Sequence, residues 1–138
     1  MRTIAFVLFF FVFMGLMMSQ NLKIIAQNSL DCTGRKKEFT VPQGKTYKLK
    51  KLDIIVPSWN SCNQSEPAPT EVYAQIITKP LSIKETPKVL YKQVVKPSGE
   101  KSETISIGKV KLTPGTYILE ISRAPRAEAI LEYFAAEN

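Results

Sequence analysis

Val110-Lys111-Leu112-Thr113-Pro114-Gly115-Thr116-Tyr117-Ile118-Leu119-Glu120-Ile121 reads as two short β-strands either side of a turn. Pro114 and Gly115 take the two central positions of a four-residue turn. Proline presets the first φ and glycine tolerates a positive second one, as a type II turn requires. Beyond the turn, Tyr117, Leu119 and Ile121 share one parity and point to one face. A period of two is the pattern of a strand with one side buried.

Working outward, the same signature recurs. Upstream, over 102–112, Ile105 and Ile107 share one parity while Val110 and Leu112 take the other, with Gly108 at the slip. A one-residue slip in a period-two pattern predicts a β-bulge or a sheet-switching bend. Residues 88–96 align Val89, Tyr91 and Val95, and 71–79 align Val72, Ala74 and Ile76. Residues 46–56 slip once more at Lys50-Lys51, with Tyr47 and Leu49 on one parity and Leu52, Ile54 and Val56 on the other. A short strand over 38–41 precedes Val41-Pro42-Gln43-Gly44, where Pro and Gly are spaced as in a type I turn. Downstream, 127–135 admits two readings. A helix would gather Ala127, Ile130, Leu131 and Phe134; a strand would align Ala127, Ala129, Leu131 and Tyr133. The short Ala124-Pro125-Arg126 link suits a hairpin and favours the strand. The total is about seven strands with closely spaced turns, an all-β antiparallel sandwich of jelly-roll or immunoglobulin-like type.

The N-terminus is different in kind. Met1-Arg2-Thr3 precedes an apolar run from Ile4 to Met18. A short basic start and a brief apolar run mark a secretory signal peptide, and the run falls short of the roughly 20 residues of a comfortable membrane span. The small residue Ala26 sets the expected cut, giving a leader over 1–26 and a single domain over 27–138; a cut nearer Ser19 is the other option. The expected location is secreted or periplasmic. The rival is a membrane anchor through residues 4–18, and membrane contact is expected only if that segment is retained.

The whole chain carries 19 basic and 12 acidic residues. Removing 1–26 takes away Arg2 and Lys23 and leaves a net charge of +5. So mild a basicity suits an anionic surface or simply a solvated lysine-rich one. Without a basic-aromatic motif, nucleic acid is not an expected partner. Lys88, Lys92 and Lys96 recur on one strand face, a device that keeps an edge strand from pairing with other chains. Cys32 and Cys62 are the only cysteines, and in an oxidising compartment a pair predicts one disulfide. Free thiols or a metal site are the alternatives, and the latter would need further ligands.

Chemistry is scarce. The chain has no histidine, which removes Ser-His, Cys-His and His-metal arrangements. Acidic residues stand mostly alone. Glu128 and Glu132 share a strand face with Ile130 between them, not the two carboxylates across a cleft that glycoside hydrolysis uses. No enzyme activity and no cofactor are expected.

The stretch Val110–Ile121 resembles the penultimate hairpin of many secreted bacterial β-sandwich modules, among them pre-peptidase C-terminal domains and carbohydrate-binding modules. The resemblance covers about a tenth of the chain and consists of core and turn residues. It implies a jelly-roll-like sandwich and carries no ligand residue over. The acidic metal-binding positions usual in such families are not identifiable.

Two long connections remain, 57–70 and 80–87. Loops beyond about 12 residues in a compact domain are usually functional or disordered. The first holds the single tryptophan, Trp59, next to Cys62, and the sequon Asn63-Gln64-Ser65. Trp59, Asn60 and Asn63 are thus the candidate binding residues. Trp59 is either a stacking platform for a sugar or an apolar plug on the disulfide. The expected role is that of an exported, non-catalytic binding or cell-envelope protein with a protein or glycan partner. The alternative is a carbohydrate-binding module acting through Trp59.

Overall fold

A computed structural model describes residues 22–96 and 102–137. They form nine strands and no helix: β1 (Leu22–Gln27), β2 (Lys36–Val41), β3 (Lys45–Ile55), β4 (Val72–Thr78), β5 (Val89–Val95), β6 (Ser102–Ser106), β7 (Lys111–Leu112), β8 (Gly115–Ile121) and β9 (Glu128–Glu137). One sheet has the order β1-β9-β3-β6, with β7 also paired to β3; the other runs β2-β8-β4-β5. Every pairing is antiparallel. The pairs are nested: β1 with β9, β2 with β8, β3 with β6 and β7, β4 with β5. With β6 and β7 counted as one interrupted strand, this is an eight-strand jelly roll, the first of the two expected sandwich types.

The core lies between the sheets. Leu49, Leu52, Ile54, Leu112, Ala129 and Leu131 face Val41, Val72, Ala74, Ile76, Leu119 and Ile121, all at most 2 % exposed. Tyr117, Leu119 and Ile121 point inward as their alternation requires. Strand wins over helix in this segment: β9 starts at Glu128, directly after Ala127, and Ala127, Ala129, Leu131 and Tyr133 are buried.

The two parity slips turn out to be opposite sides of one irregularity. The β3–β9 register shifts between Leu49 and Lys51, leaving Lys50 as the extra residue of a bulge. Facing it, the chain leaves β6 and rejoins at β7. The Ile107 N–H donates to the Lys50 carbonyl (3.1 Å), and the Leu49 N–H donates to the Val110 carbonyl (3.1 Å). The bulge also brings two successive lysines to one carboxylate: Lys50 and Lys51 lie 3.7 and 3.4 Å from the buried Glu132.

Several local expectations need correction. Thr113-Pro114-Gly115 does not close a hairpin, because β7 pairs with β3 while β8 pairs with β2 and β4. It is a corner between sheets, closed by the Tyr117 hydroxyl donating to the Thr113 carbonyl (2.6 Å). Ala124-Pro125-Arg126 likewise links strands of opposite sheets. The turn after β2 is held by the Lys45 N–H on the Pro42 carbonyl (3.2 Å), with φ +83° at Gly44. A positive φ at the third position is foreign to type I and required by type II. Val89 is half-exposed because a second shift, between Ile76 and Ile77, turns it away from the core.

The apolar run 4–18 and the turn expected at 96–99 lie largely outside the described residues. Residues 22–26, assigned to the leader from sequence, form β1 together with Gln27. Ile24 and Ala26 are buried in the core at 8 % and 1 % exposure.

Candidate functional site at the disulfide end

Three connections converge at one end of the sandwich: β1 to β2, β3 to β4, and β8 to β9. The first begins with Asn28, an amide buried to 2 % exposure. Its Nδ2 donates to the carbonyls of Ser122 and Ala124 (2.9 Å each), and its N–H donates to the Ala127 carbonyl (2.9 Å). One side chain thereby fixes the whole β8–β9 corner. The next residues form a tight polar knot. Asp31 accepts from the Ser29 and Thr33 hydroxyls and from the Thr33 N–H. Those bonds hold its carboxyl below the usual carboxylate range, because they favour the ionised form.

The knot encloses Cys32, which has φ +65° and is bonded to Cys62. The expected disulfide is present and closes a separation of 30 residues. On the chain-entropy account such a loop contributes about 3.5 kcal/mol. It staples the 57–70 loop to the β1–β2 connection. Glu66 adds a second tie, taking a bidentate pair from Arg123 at 2.7 and 3.2 Å.

The three residues singled out from sequence do not converge. Trp59 is half-buried and packs against the core cluster. Asn60 is exposed at the rim of a depression. Asn63 is exposed, with its Oδ1 accepting from the Ser65 N–H (3.0 Å) and hydroxyl (2.7 Å) and its Nδ2 donating to Glu66 (3.2 Å). The sequon asparagine thus organises its own turn.

The residue missing from the sequence reading is Arg126. The Ala127 N–H donates to the Ala124 carbonyl (3.1 Å), so Ala124-Pro125-Arg126-Ala127 is a turn with proline second and Arg126 third, at φ +58°. That is the position where a type II turn favours glycine. A left-handed backbone costs an L-residue roughly 1–2 kcal/mol. Here it is held by the Arg126 N–H on the Ser29 carbonyl (3.2 Å). The Arg126 side chain makes no ion pair among the described residues and is exposed. It lines a depression of about 390 Å³ together with Leu30, Pro57, Asn60, Cys62 and Pro125. On its other side lies a shallower one of about 670 Å³, bordered by Asn28, Ser29 and Thr33. Leu30, 64 % exposed, stands between the two.

The other buried ionisable groups serve the sheets. Glu120 accepts from Tyr73 (3.1 Å) and faces Lys36 (3.6 Å). Burial first, then the Glu120 charge, pushes the Tyr73 phenol up. Tyr133, stacked on Tyr47 at 4.4 Å, is pushed up to about 12 by burial, with Tyr47 beside it adding to the effect. Glu132 lies under its two lysines on a sheet face, not in a cleft. Among the described residues no three metal-ligating side chains cluster. The sequence matches no protein-family model, and no curated protein is significantly similar to it.

Proposed function

We propose that this is an exported, non-catalytic binding protein whose ligand site is the disulfide-pinned end, with Arg126 as its cationic contact. One observation carries the reading. Cys32 and Arg126 are the only described non-glycine residues with positive φ; Arg126 lines the depression, and the buried Cys32 is bonded to Cys62, which lines it as well. Backbone strain persists where the surroundings over-determine it, and it clusters at functional sites. Here the surroundings are a disulfide, a buried asparagine and a polar knot. Such pinning lowers the entropy cost of ordering a binding surface. The chemistry around Arg126 suits an anionic group, a carboxylate above all, presented beside a small apolar one against Leu30, Pro57 and Pro125. A disulfide is compatible with a secreted or periplasmic location. The absence of histidine from the chain supports binding over catalysis.

The sugar-stacking alternative draws less support, since Trp59 packs on the core and does not line the depression. Binding to neutral oligosaccharides, uronate-bearing oligosaccharides and acidic peptides separates the two. The proposal expects anionic probes to bind and Arg126→Gly to weaken them by about tenfold or more, the scale of a lost charge-assisted hydrogen bond. Neutral sugars alone binding, with loss in Trp59→Ala and none in Arg126→Gly, would establish the alternative instead.

A further inference from the structure

The β4–β5 loop occupies the opposite end of the sandwich. Thr78, the last residue of β4, pairs with Tyr117, which pairs in turn with Phe39 near the end of β2. The loop carries Leu81 and Ile83 at 93 % and 105 % exposure, the most exposed large apolar side chains among the described residues. It is not slack. The Lys79 N–H donates to the Thr116 carbonyl (3.0 Å), and the Lys88 N–H donates to the Thr78 hydroxyl (2.9 Å). Glu85 accepts from the Leu81 N–H (2.8 Å), and its own N–H donates to the Ser82 carbonyl (3.2 Å). Pro80 and Pro87 bracket this tip. Two aliphatic side chains are thus held outward on a pre-ordered turn.

The charges around the tip are mainly basic. Lys79 is paired with Glu38 (2.9 Å), and the loop's one acid, Glu85, is engaged with the Leu81 N–H, which leaves Lys84 and Lys88 as the cations beside the tip. Lys84 and Lys88 are exposed and make no ion pair among the described residues. A protein interface needs roughly 1,000 Å² of complementary surface, far more than two side chains on a narrow tip supply. Shallow insertion into a bilayer needs only a small apolar wedge and basic neighbours for anionic headgroups. Position agrees. β1 runs from Leu22, opposite Tyr133, to Gln27, opposite Glu128 at the disulfide end. Leu22, the first described residue after the apolar run 4–18, therefore lies at the loop's end of the sandwich.

We propose that the β4–β5 loop is a membrane-docking element that places Leu81 and Ile83 in the interface of an anionic phospholipid bilayer, with Lys84 and Lys88 on the headgroups. The contact stands independently of the ligand site and leaves the disulfide end facing away from the membrane.

The test uses the full chain as exported, with vesicles of phosphatidylglycerol or of phosphatidylcholine alone. Trp59 is the chain's single tryptophan and sits at the far end, so Leu81→Trp adds a reporter at the tip. The added emission should shift to the blue on phosphatidylglycerol vesicles and be quenched by brominated acyl chains, while the emission of Trp59 in the unsubstituted protein stays unchanged. Leu81→Ser with Ile83→Ser should lower partitioning by about tenfold or more. Lys84→Glu with Lys88→Glu should do so on the anionic vesicles alone. All four positions are exposed, and an unaltered circular dichroism spectrum verifies the fold. A tip tryptophan that stays solvent-like and unquenched on phosphatidylglycerol overturns the proposal, whether partitioning is then carried by the N-terminal segment or the loop serves a protein contact.

Discussion

Replacing Arg126 by glycine should make the protein more stable, an unusual outcome for deletion of a whole side chain. At φ +58° the arginine bears roughly 1–2 kcal/mol of left-handed strain that glycine does not. Against this, glycine gives the unfolded chain more freedom, worth about 0.4–1 kcal/mol. The folded state loses little else. The Arg126 guanidinium makes no ion pair among the described residues, and the bond from its backbone N–H to the Ser29 carbonyl remains. The net expectation is a gain of about 0.5–1 kcal/mol. Arg126→Ala keeps the Cβ and therefore the strain, so it should show no gain. Urea unfolding of the disulfide-intact protein, with the two variants beside wild type and equal m-values, measures the difference. Destabilisation by Arg126→Gly, or parity between the variants, would refute the reasoning, because the arginine would then be holding the fold rather than being held for a ligand.

Four further outcomes follow from the same geometry. Leu119→Ala, at a fully buried position in the centre of the β2-β8-β4 ladder, should cost about 2–5 kcal/mol in a denaturant titration. Cys32→Ser with Cys62→Ser should lower stability by about 3.5 kcal/mol, and reductant should then have no additional effect on the unfolding midpoint. The Tyr133 phenol should ionise at about pH 12. Because the folded state keeps a proton that the unfolded state releases above about pH 10, stability should fall as pH rises through that window. Finally, β1 contributes Ile24 and Ala26 to the core, so intact-mass analysis of exported protein should find an N-terminus upstream of Leu22, and a chain starting at Gln27 would contradict this.

What the sequence disclosed was its alternation. Parity was enough to orient β4, β8 and β9, and the two slips marked the bulge at Lys50 and the break at Gly108. Parity says nothing of which sheet a strand joins. A Pro-Gly turn looks alike in a hairpin and in a corner, so the crossings at Thr113–Gly115 and Ala124–Arg126 emerge only once β7 and β8 find different partners. β1 was hidden because Leu22–Gln27 follows the apolar run 4–18 and contains the small residue Ala26 near its end, which reads as a processing region. Arg126 was hidden more deeply. Its turn type is recognised by glycine at the third position, and with arginine there Pro125 is the one local signal left. Trp59 and Asn63 attracted notice by residue type. In the structure Trp59 packs against the core and Asn63 bonds Glu66.

The central claim is that a ligand binds at the disulfide end. Amide chemical-shift mapping of the isotopically labelled protein, titrated with uronate-bearing oligosaccharides and acidic peptides, answers this directly. It predicts shifts confined to 28–34, 57–62 and 124–127, abolished in Arg126→Gly at unchanged fold. Shifts spread over a sheet face, or gathered on the β4–β5 loop while the disulfide end stays silent, would contradict it.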